Sequence, residues 1–197
     1  MIGKTMAHLV KYSIGLEPPH TQTTIAERRR LADAVRGKKS VVEIGVYEGS
    51  TTSLLAENMA RDGKLFAIDP FLSGRTGICW GKHIAYREVK KIREGAEVRF
   101  VEAYSHDAAR TIDGAFDFIF IDGDHSLAGI TRDWADWSGR VVIDGIIALH
   151  DTRIPAHNPN VANLGSYQYF ESHIRHDKRF ELIEQVDSLS LMRVTGC

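Results

Sequence analysis

The stretch Val41-Val42-Glu43-Ile44-Gly45-Val46-Tyr47-Glu48-Gly49-Ser50-Thr51-Thr52 constrains the fold more than any other part of the chain. A run suited to a buried strand ends there in two glycines, and hydroxyl residues able to start a helix follow at once. This strand, turn and helix suit a nucleoside-bearing ligand, because backbone can pass close to it at Gly45 and Gly49 while helix N–H groups point toward it. Glu43 adds an acid on the strand, which favours a cationic ligand and opposes a phosphate. The spacing is Gly45-x-x-x-Gly49, whereas a dinucleotide fingerprint needs G-x-G-x-x-G with a middle glycine that admits pyrophosphate. A nicotinamide cofactor therefore loses ground.

Strand-like runs recur at Ser40–Val46, Lys64–Asp69, Glu97–Ala103, Phe116–Asp122 and Ile146–His150. Helical patterns separate them near Thr51–Arg61, Lys82–Arg93 and Leu127–Trp137, which predicts an α/β fold with a parallel sheet covered on both faces. Phe180–Val186 and Leu189–Val194, split by Asp187-Ser188, read instead as a terminal antiparallel hairpin. Before the first strand, a tail with Pro18-Pro19 leads into a helix from Thr21 to Val35, whose apolar set is Ile25, Leu31 and Val35 and whose Arg28-Arg29-Arg30 run reads as a solvated face. The polar segment from Thr152 onward, with Pro155, Asn158, Pro159, Asn160 and Asn163, follows a strand end and reads as a substrate lid over residues 152–166.

With 197 residues, 43% of them hydrophobic, the chain can bury one substantial core, so residues 1–197 are expected to form one domain with residues 1–38 as an N-terminal helical extension. The 25 basic and 26 acidic residues balance to −1, which argues against nucleic acid and anionic membrane as partners and for a small, weakly charged substrate. Cys79 and Cys197 form no metal-type or redox-type pair. Without a signal-peptide core or a run of ~20 apolar residues, the expectation is a soluble cytoplasmic protein. The N-terminal helix lies outside the sheet core, and a homodimer is the expected way to cover it.

Asp69 closes the second strand in Phe66-Ala67-Ile68-Asp69-Pro70, where a carboxylate can accept both hydroxyls of a ribose or cap the turn before Pro70. The fourth strand ends in Ile121-Asp122-Gly123-Asp124-His125 and the fifth in Ala148-Leu149-His150-Asp151-Thr152. Adjacent parallel strands lie ~4.8 Å apart, so Asp122 and Asp151 can reach one hard cation such as Mg2+. Trp134 and Trp137, at i and i+3 on a helix, are expected to pack onto the sheet, while Trp80 and Phe71, in the loop after the second strand, either border the substrate or close the core. His157, Asn158 and Tyr167, in or beside the lid, are candidates to bind a polar substrate such as a saccharide.

From Ser40 to Val194 the chain resembles the class I S-adenosylmethionine-dependent methyltransferases. The resemblance rests on Glu43-Ile44-Gly45-Val46-Tyr47-Glu48-Gly49-Ser50 as the glycine motif, Asp69 as the ribose acid, and the closing hairpin as the reversed strand. It implies a Rossmann-like doubly wound sheet of order 3-2-1-4-5-7-6, with S-adenosyl-L-methionine as cofactor and Gly45 near its methionine part. It also implies Tyr104 and Ser105 near the adenine, although Ser105 can equally cap a short helix beginning at His106. The strand-four and strand-five ends resemble the metal-dependent O-methyltransferases of catechol and macrolide-sugar type. That likeness implies Asp122 and Asp151 as metal ligands and His125, three residues after the first, as general base.

Two departures leave the third ligand open. His150 stands where the sugar-modifying type has an acid, and Thr152 where the catechol type has asparagine, so His150, Thr152, Asp124 or water completes the shell. His150 suits Mn2+ better than Mg2+. The implied reaction lowers the pKa of an acceptor hydroxyl, preferably a sugar's, and passes its proton to His125 during in-line attack on the sulfonium methyl. A metal-free methyltransferase with His125 or His150 as base is the nearest rival. A nicotinamide oxidoreductase and a non-catalytic cofactor-binding module are the remaining alternatives.

Overall fold

The computed structural model describes residues 6–74 and 77–196, which leaves Cys197 outside the described residues. Seven strands form one sheet: β1 (Ser40–Ile44), β2 (Lys64–Ile68), β3 (Glu97–Val101), β4 (Phe116–Ile121), β5 (Val141–Leu149), β6 (Phe180–Val186) and β7 (Leu189–Val194). Their order is β3-β2-β1-β4-β5-β7-β6, as the resemblance implies. β1 to β5 pair in parallel, while β7 runs antiparallel to both β5 and β6. The helices are α1 (Met6–Ser13), α2 (Ile25–Val35), α3 (Ser50–Asn58), α4 (Trp80–Lys90), α5 (Ser105–Thr111), α6 (Leu127–Trp137) and α7 (Gly165–Ser172).

Alternate residues of the central strands feed two separate cores, which is why these strands read as unbroken apolar runs. Ile119, Ile121, Ile147 and Leu149 pack with Ile130, Trp134 and Trp137 of α6 and Phe170 of α7. Phe118, Phe120 and Ala148 point the other way, onto Leu31 and Val35 of α2 and Leu55 of α3. Each large side chain fully buried this way contributes ~1.5–3 kcal/mol. The parity continues past the strand ends, so Asp122 and His150 emerge on the side of α2 and α3.

Several expected bounds shift. The second helix starts at Ile25 because Thr24 accepts from the Glu27 amide while Glu27 accepts from the Thr24 amide, a closed capping box. Its inward face is Glu27, Leu31 and Val35, whereas Ile25 is exposed, which corrects the expected apolar set. Arg28 leaves the expected solvated face too, since its guanidinium donates to the Ser50 hydroxyl at 2.9 Å. β5 begins five residues early, and a register shift opposite Phe116 and Phe118 absorbs the excess at Asp144, φ 62°, and Gly145. α1 and α7, of eight residues each, are too short for a helical period to be read from the sequence.

The N-terminal extension is covered within the chain. α1 packs on α4, with the Tyr12 hydroxyl donating to Glu88 at 2.5 Å and His8 reaching Glu48 in the glycine loop. The expected reason for a homodimer, an uncovered N-terminal helix, thus finds its answer in α4. Among the described residues no helix is long and apolar enough to cross a membrane.

Candidate active site

The order of the sheet reverses between β1 and β4, and in an open α/β sheet the crevice beyond the strand ends at that point is the ligand site. Here the crevice is a cavity of about 720 Å³. Its floor is built from the loops after β1 and β4, which cross in contact. A Cβ on Gly45, φ 92°, would lie 2.1 Å from the carbonyl oxygen of Asp122, so only glycine permits the crossing. Gly49 has a different reason: its left-handed backbone starts α3, and a Cβ there would strike Ala85 of α4 at 2.7 Å. Gly45, Ser50, Asp69, Tyr104, Ser105, Asp122 and His125 line the cavity; Gly49 does not.

Asp69 holds the glycine loop in shape. Its Oδ2 accepts from the amides of Val46 and Tyr47 at 3.0 and 3.1 Å, and Oδ1 accepts from Phe71 at 2.7 Å. The turn-capping and ligand-facing readings therefore coexist in one carboxylate at the cavity wall. Glu43 lies beneath the loop, fully buried, accepting from the Thr52 hydroxyl at 2.6 Å. Burial pushes its carboxyl well above the usual range, with Asp122 and Asp69 pushing further against the Thr52 hydrogen bond, so its charged form is disfavoured, and it does not line the cavity. That corrects the expected role of Glu43.

The adenine end of the cavity was only half legible. Ser105 begins α5 without capping it and donates instead to Asp133 of α6, another wall residue. Burial raises Asp133 to about 6, and the nearby Asp124 and Asp136 reinforce the shift against the Ser105 hydrogen bond. Asp133 had a signal in the sequence, an acid on the inward stripe Ile130, Asp133, Trp134 and Trp137. His20, Thr21 and Gln22 also line the cavity, brought there from the far N-terminal side of the chain, where nothing in the sequence marks them.

At the opposite end, His125 sits between the two strand-end carboxylates. Its Nε2 lies 3.8 Å from Asp122 and its Nδ1 3.7 Å from Asp151. His150, expected as a base or metal ligand, is buried behind them and does not reach the cavity wall. Burial alone would lower its pKa, but Asp122 at 3.0 Å, Glu27 at 3.4 Å and Asp151 at 3.7 Å raise it to about 11. The three carboxylates thus favour the imidazolium form of His150, which neither takes a proton nor donates a lone pair.

The other options for a third metal ligand fare no better. The Thr152 hydroxyl is buried and committed to Leu149, Ser188 and Ser190. Asp124 accepts from the Ser126 amide at the start of α6. Among the described residues no three donors that include Asp122 or Asp151 lie within 4.8 Å of one another, so the expected metal shell is not assembled at the strand ends.

The expected lid is docked along one edge. The Ser166 amide donates to the His125 carbonyl at 3.3 Å and its hydroxyl to the Asp151 carbonyl at 2.9 Å. Val161 is buried, and Gly165 abuts the backbone at Leu127, where a Cβ would lie 2.0 Å away. His157 and Asn158 are exposed and Tyr167 half-buried, and none of the three lines the cavity.

A family model described as a methyltransferase domain matches residues 42–152, more than half of the chain. The chain belongs to the methyltransferase-domain family. The matched span runs from β1 through Thr152 and so contains the glycine loop, Asp69, Asp122, His125 and Asp151. The class I methyltransferase fold is shared with solved structures at low sequence identity. A Podospora anserina methyltransferase with S-adenosylhomocysteine bound superposes with a TM-score of 0.68 at 17% identity, covering 96% of this chain and 87% of that one.

An O-methyltransferase from Bacillus cereus, also in complex with S-adenosylhomocysteine, gives 0.61 at 19%, covering 94% and 87%. An rRNA methylase from Streptococcus thermophilus gives 0.59 at 11%, covering 89% and 99%. Among curated proteins, an uncharacterized protein of Acanthamoeba polyphaga mimivirus is 29% identical over 142 residues, 65% of this chain. The aligned region spans 62% of that relative's length.

Proposed function

We propose that this methyltransferase-domain chain transfers a methyl group from S-adenosylmethionine to a hydroxyl of a small polar acceptor, a sugar in preference to a catechol. The observation that carries the reading is the placement of His125, held between Asp122 and Asp151 on the wall of the cavity that the glycine loop and Asp69 share.

The cavity fits the cofactor on its own chemistry. Asp69, Asp122, Asp124 and Asp133 face Arg132 as the one strong base among the lining residues, which favours a cation over a pyrophosphate. Its volume is that of ordinary small-ligand sites, ~300–1,000 Å³. Bound S-adenosylmethionine supplies an electrophilic methyl on sulfur. Asp69 fixes the glycine loop by accepting from the amides of Val46 and Tyr47 on Oδ2, and Oδ1, which accepts from Phe71, keeps one lone pair for a ribose hydroxyl. His125 takes the acceptor's proton as the oxygen attacks the methyl carbon and the carbon–sulfur bond breaks toward sulfur. Asp122 and Asp151 orient the ring and stabilise the imidazolium that results.

Divalent-metal dependence on Mg2+ or Mn2+ is a second reading, supported by Asp122 and Asp151, whose ion-pair partners among the described residues are the histidines His125 and His150. The polar lid with His157, Asn158 and Tyr167 supports a saccharide acceptor approaching from outside the cavity. The balanced charge of −1 supports a small molecule over RNA. The side of α1 turned away from α4, with exposed Met6 and Val10 and with Ile14 just beyond the helix, supports a homodimer even though α4 covers the inner face.

The deciding experiment measures S-adenosylhomocysteine release with a panel of sugars and catechols, with and without EDTA. Turnover with a sugar that persists in EDTA selects the metal-free reading, and EDTA-sensitive turnover selects the second. Binding of NADH in place of S-adenosylhomocysteine would defeat both.

A further inference from the structure

The described residues contain one group of three metal-type donors lying within 4.8 Å of one another: His8, His20 and Glu48. We infer that these side chains bind a transition-metal ion of the zinc type, which staples the N-terminal segment onto the glycine loop beside the cavity. Nothing in the proposed methyl transfer uses them.

The two nitrogens of His8 both face carboxylates. Nδ1 lies 2.9 Å from Oε2 of Glu17, and Nε2 lies 3.0 Å from Oε2 of Glu48. A neutral imidazole has one N–H and cannot donate to both, so a second cation, proton or metal, belongs to this arrangement. The Glu17 contact is the outer-shell carboxylate that metal-bound histidines ordinarily have, and it turns the Nε2 lone pair toward Glu48. Lys11 holds the other oxygen of Glu17 at 2.7 Å.

Glu48 gives an independent observation. It is completely buried, and its Oε1 has no hydrogen-bond partner. Oε2 accepts from the His20 amide at 2.6 Å, and the His20 ring stacks on that of His8 with centroids 3.8 Å apart. Nδ1 of His20 stands 3.7 Å from the same oxygen, and its partly exposed ring has to turn out of the stack for its in-plane lone pair to meet that of His8 at one ion. Donors of a tetrahedral zinc lie roughly 3.3–3.5 Å apart given ~2.0–2.2 Å bonds, so the cluster needs to close by about an ångström. Two histidines and one carboxylate are also a donor set zinc takes elsewhere, with a water in the fourth position. Because His20 precedes the wall residues Thr21 and Gln22, an ion here fixes that side of the cavity.

The test titrates the EDTA-stripped full chain with Co2+ as a spectroscopic stand-in for zinc, followed by zinc competition. One equivalent should bind with the visible absorption of a four-coordinate site, and zinc should displace it. His20→Ala should abolish the absorption while the circular dichroism stays that of the wild type. Glu17→Gln should weaken binding by about 10–100-fold. Asp151→Asn should leave the titration unchanged, which separates this site from any ion at the strand ends. Absence of stoichiometric binding, meaning that only a proton bridges His8 and Glu48, would overturn the inference. Binding unaltered by His20→Ala, or lost in Asp151→Asn, would overturn it equally.

Discussion

Glu27 on the first turn of α2 and His150 at the end of β5 meet 3.4 Å apart in the interior, each buried as a charge because the other is there. Glu27 also accepts from the amide and hydroxyl of Ser188, in the turn between β6 and β7, so one carboxylate joins three parts of the fold. Burial would raise its pKa, but His150, the Thr24 amide and Ser188 together lower it to about 2.

Glu27→Gln should destabilise the protein by about 3–5 kcal/mol, because it leaves His150 with one carboxylate fewer in a dry site. The pH dependence has two limbs. His150, raised from 6.5 to about 11, contributes stability that is complete below pH 6.5 and is lost as pH climbs toward 11. Glu27, lowered from 4.5 to about 2, contributes above pH 4.5 and is lost toward pH 2. Urea midpoints should therefore peak between pH 4.5 and 6.5 in the wild type and fall less steeply above 6.5 in Glu27→Gln. Identical midpoints and slopes in the two proteins would show that the pair is energetically idle.

His125→Ala should lower the turnover number by about 10²–10⁴-fold, the usual share of a positioned base. Affinity for S-adenosylhomocysteine should change little, since the ring touches the strand-end carboxylates and its backbone contact to Ser166 survives. Calorimetry beside steady-state kinetics separates the two effects. A variant that keeps full turnover removes His125 from the chemistry.

The sheet was legible because its central strands are apolar on both faces and closed by glycines, acids or turns, a pattern with few competing folds. The glycine loop, Asp69 and the Asp122 to His125 segment were legible because each sits directly at a strand end. What escaped detection depended on contacts between distant segments. Glu27 looks like an ordinary capping residue, and only the arrival of His150 and Ser188 makes it a buried charge. His150 looked like a base because its sequence neighbours hide the three carboxylates around it. Glu43 looked like a charge offered to a ligand, whereas the loop covers it and burial disfavours its charged form.

Gly45→Ala should cost more than about 2 kcal/mol, because left-handed backbone alone costs an L-residue ~1–2 kcal/mol and a backbone collision is added to it. The new methyl would meet the Asp122 carbonyl at 2.1 Å, and neither loop can yield without moving the catalytic end of β4. Gly37→Ala is the control: φ is 75° but nothing lies within 4 Å, so only the conformational part remains. Thermal denaturation of both variants should show the larger loss at Gly45, together with weakened cofactor binding there alone. Equal losses would mean that the loops do not depend on their crossing.

Asp133→Asn should stabilise the protein at pH 7.5 while weakening its ligand. Burial raises the Asp133 carboxyl from 3.8 to about 6, so the stability its proton confers is complete below pH 3.8 and is lost as pH rises through 6. At pH 7.5 the folded protein carries this buried charge at a cost of at most about 3 kcal/mol. Asparagine removes the charge while its oxygen still accepts from Ser105. The gain should therefore shrink to nothing when the comparison is repeated near pH 4. A carboxylate facing the cavity at such expense is one that a ligand donor satisfies, and losing a hydrogen bond to a charged group costs about 1.5–3 kcal/mol of affinity. Binding of S-adenosylhomocysteine to Asp133→Asn should accordingly weaken by roughly 10–100-fold at pH 7.5. A variant that is more stable yet binds as tightly as the wild type would make Asp133 a bystander of the site.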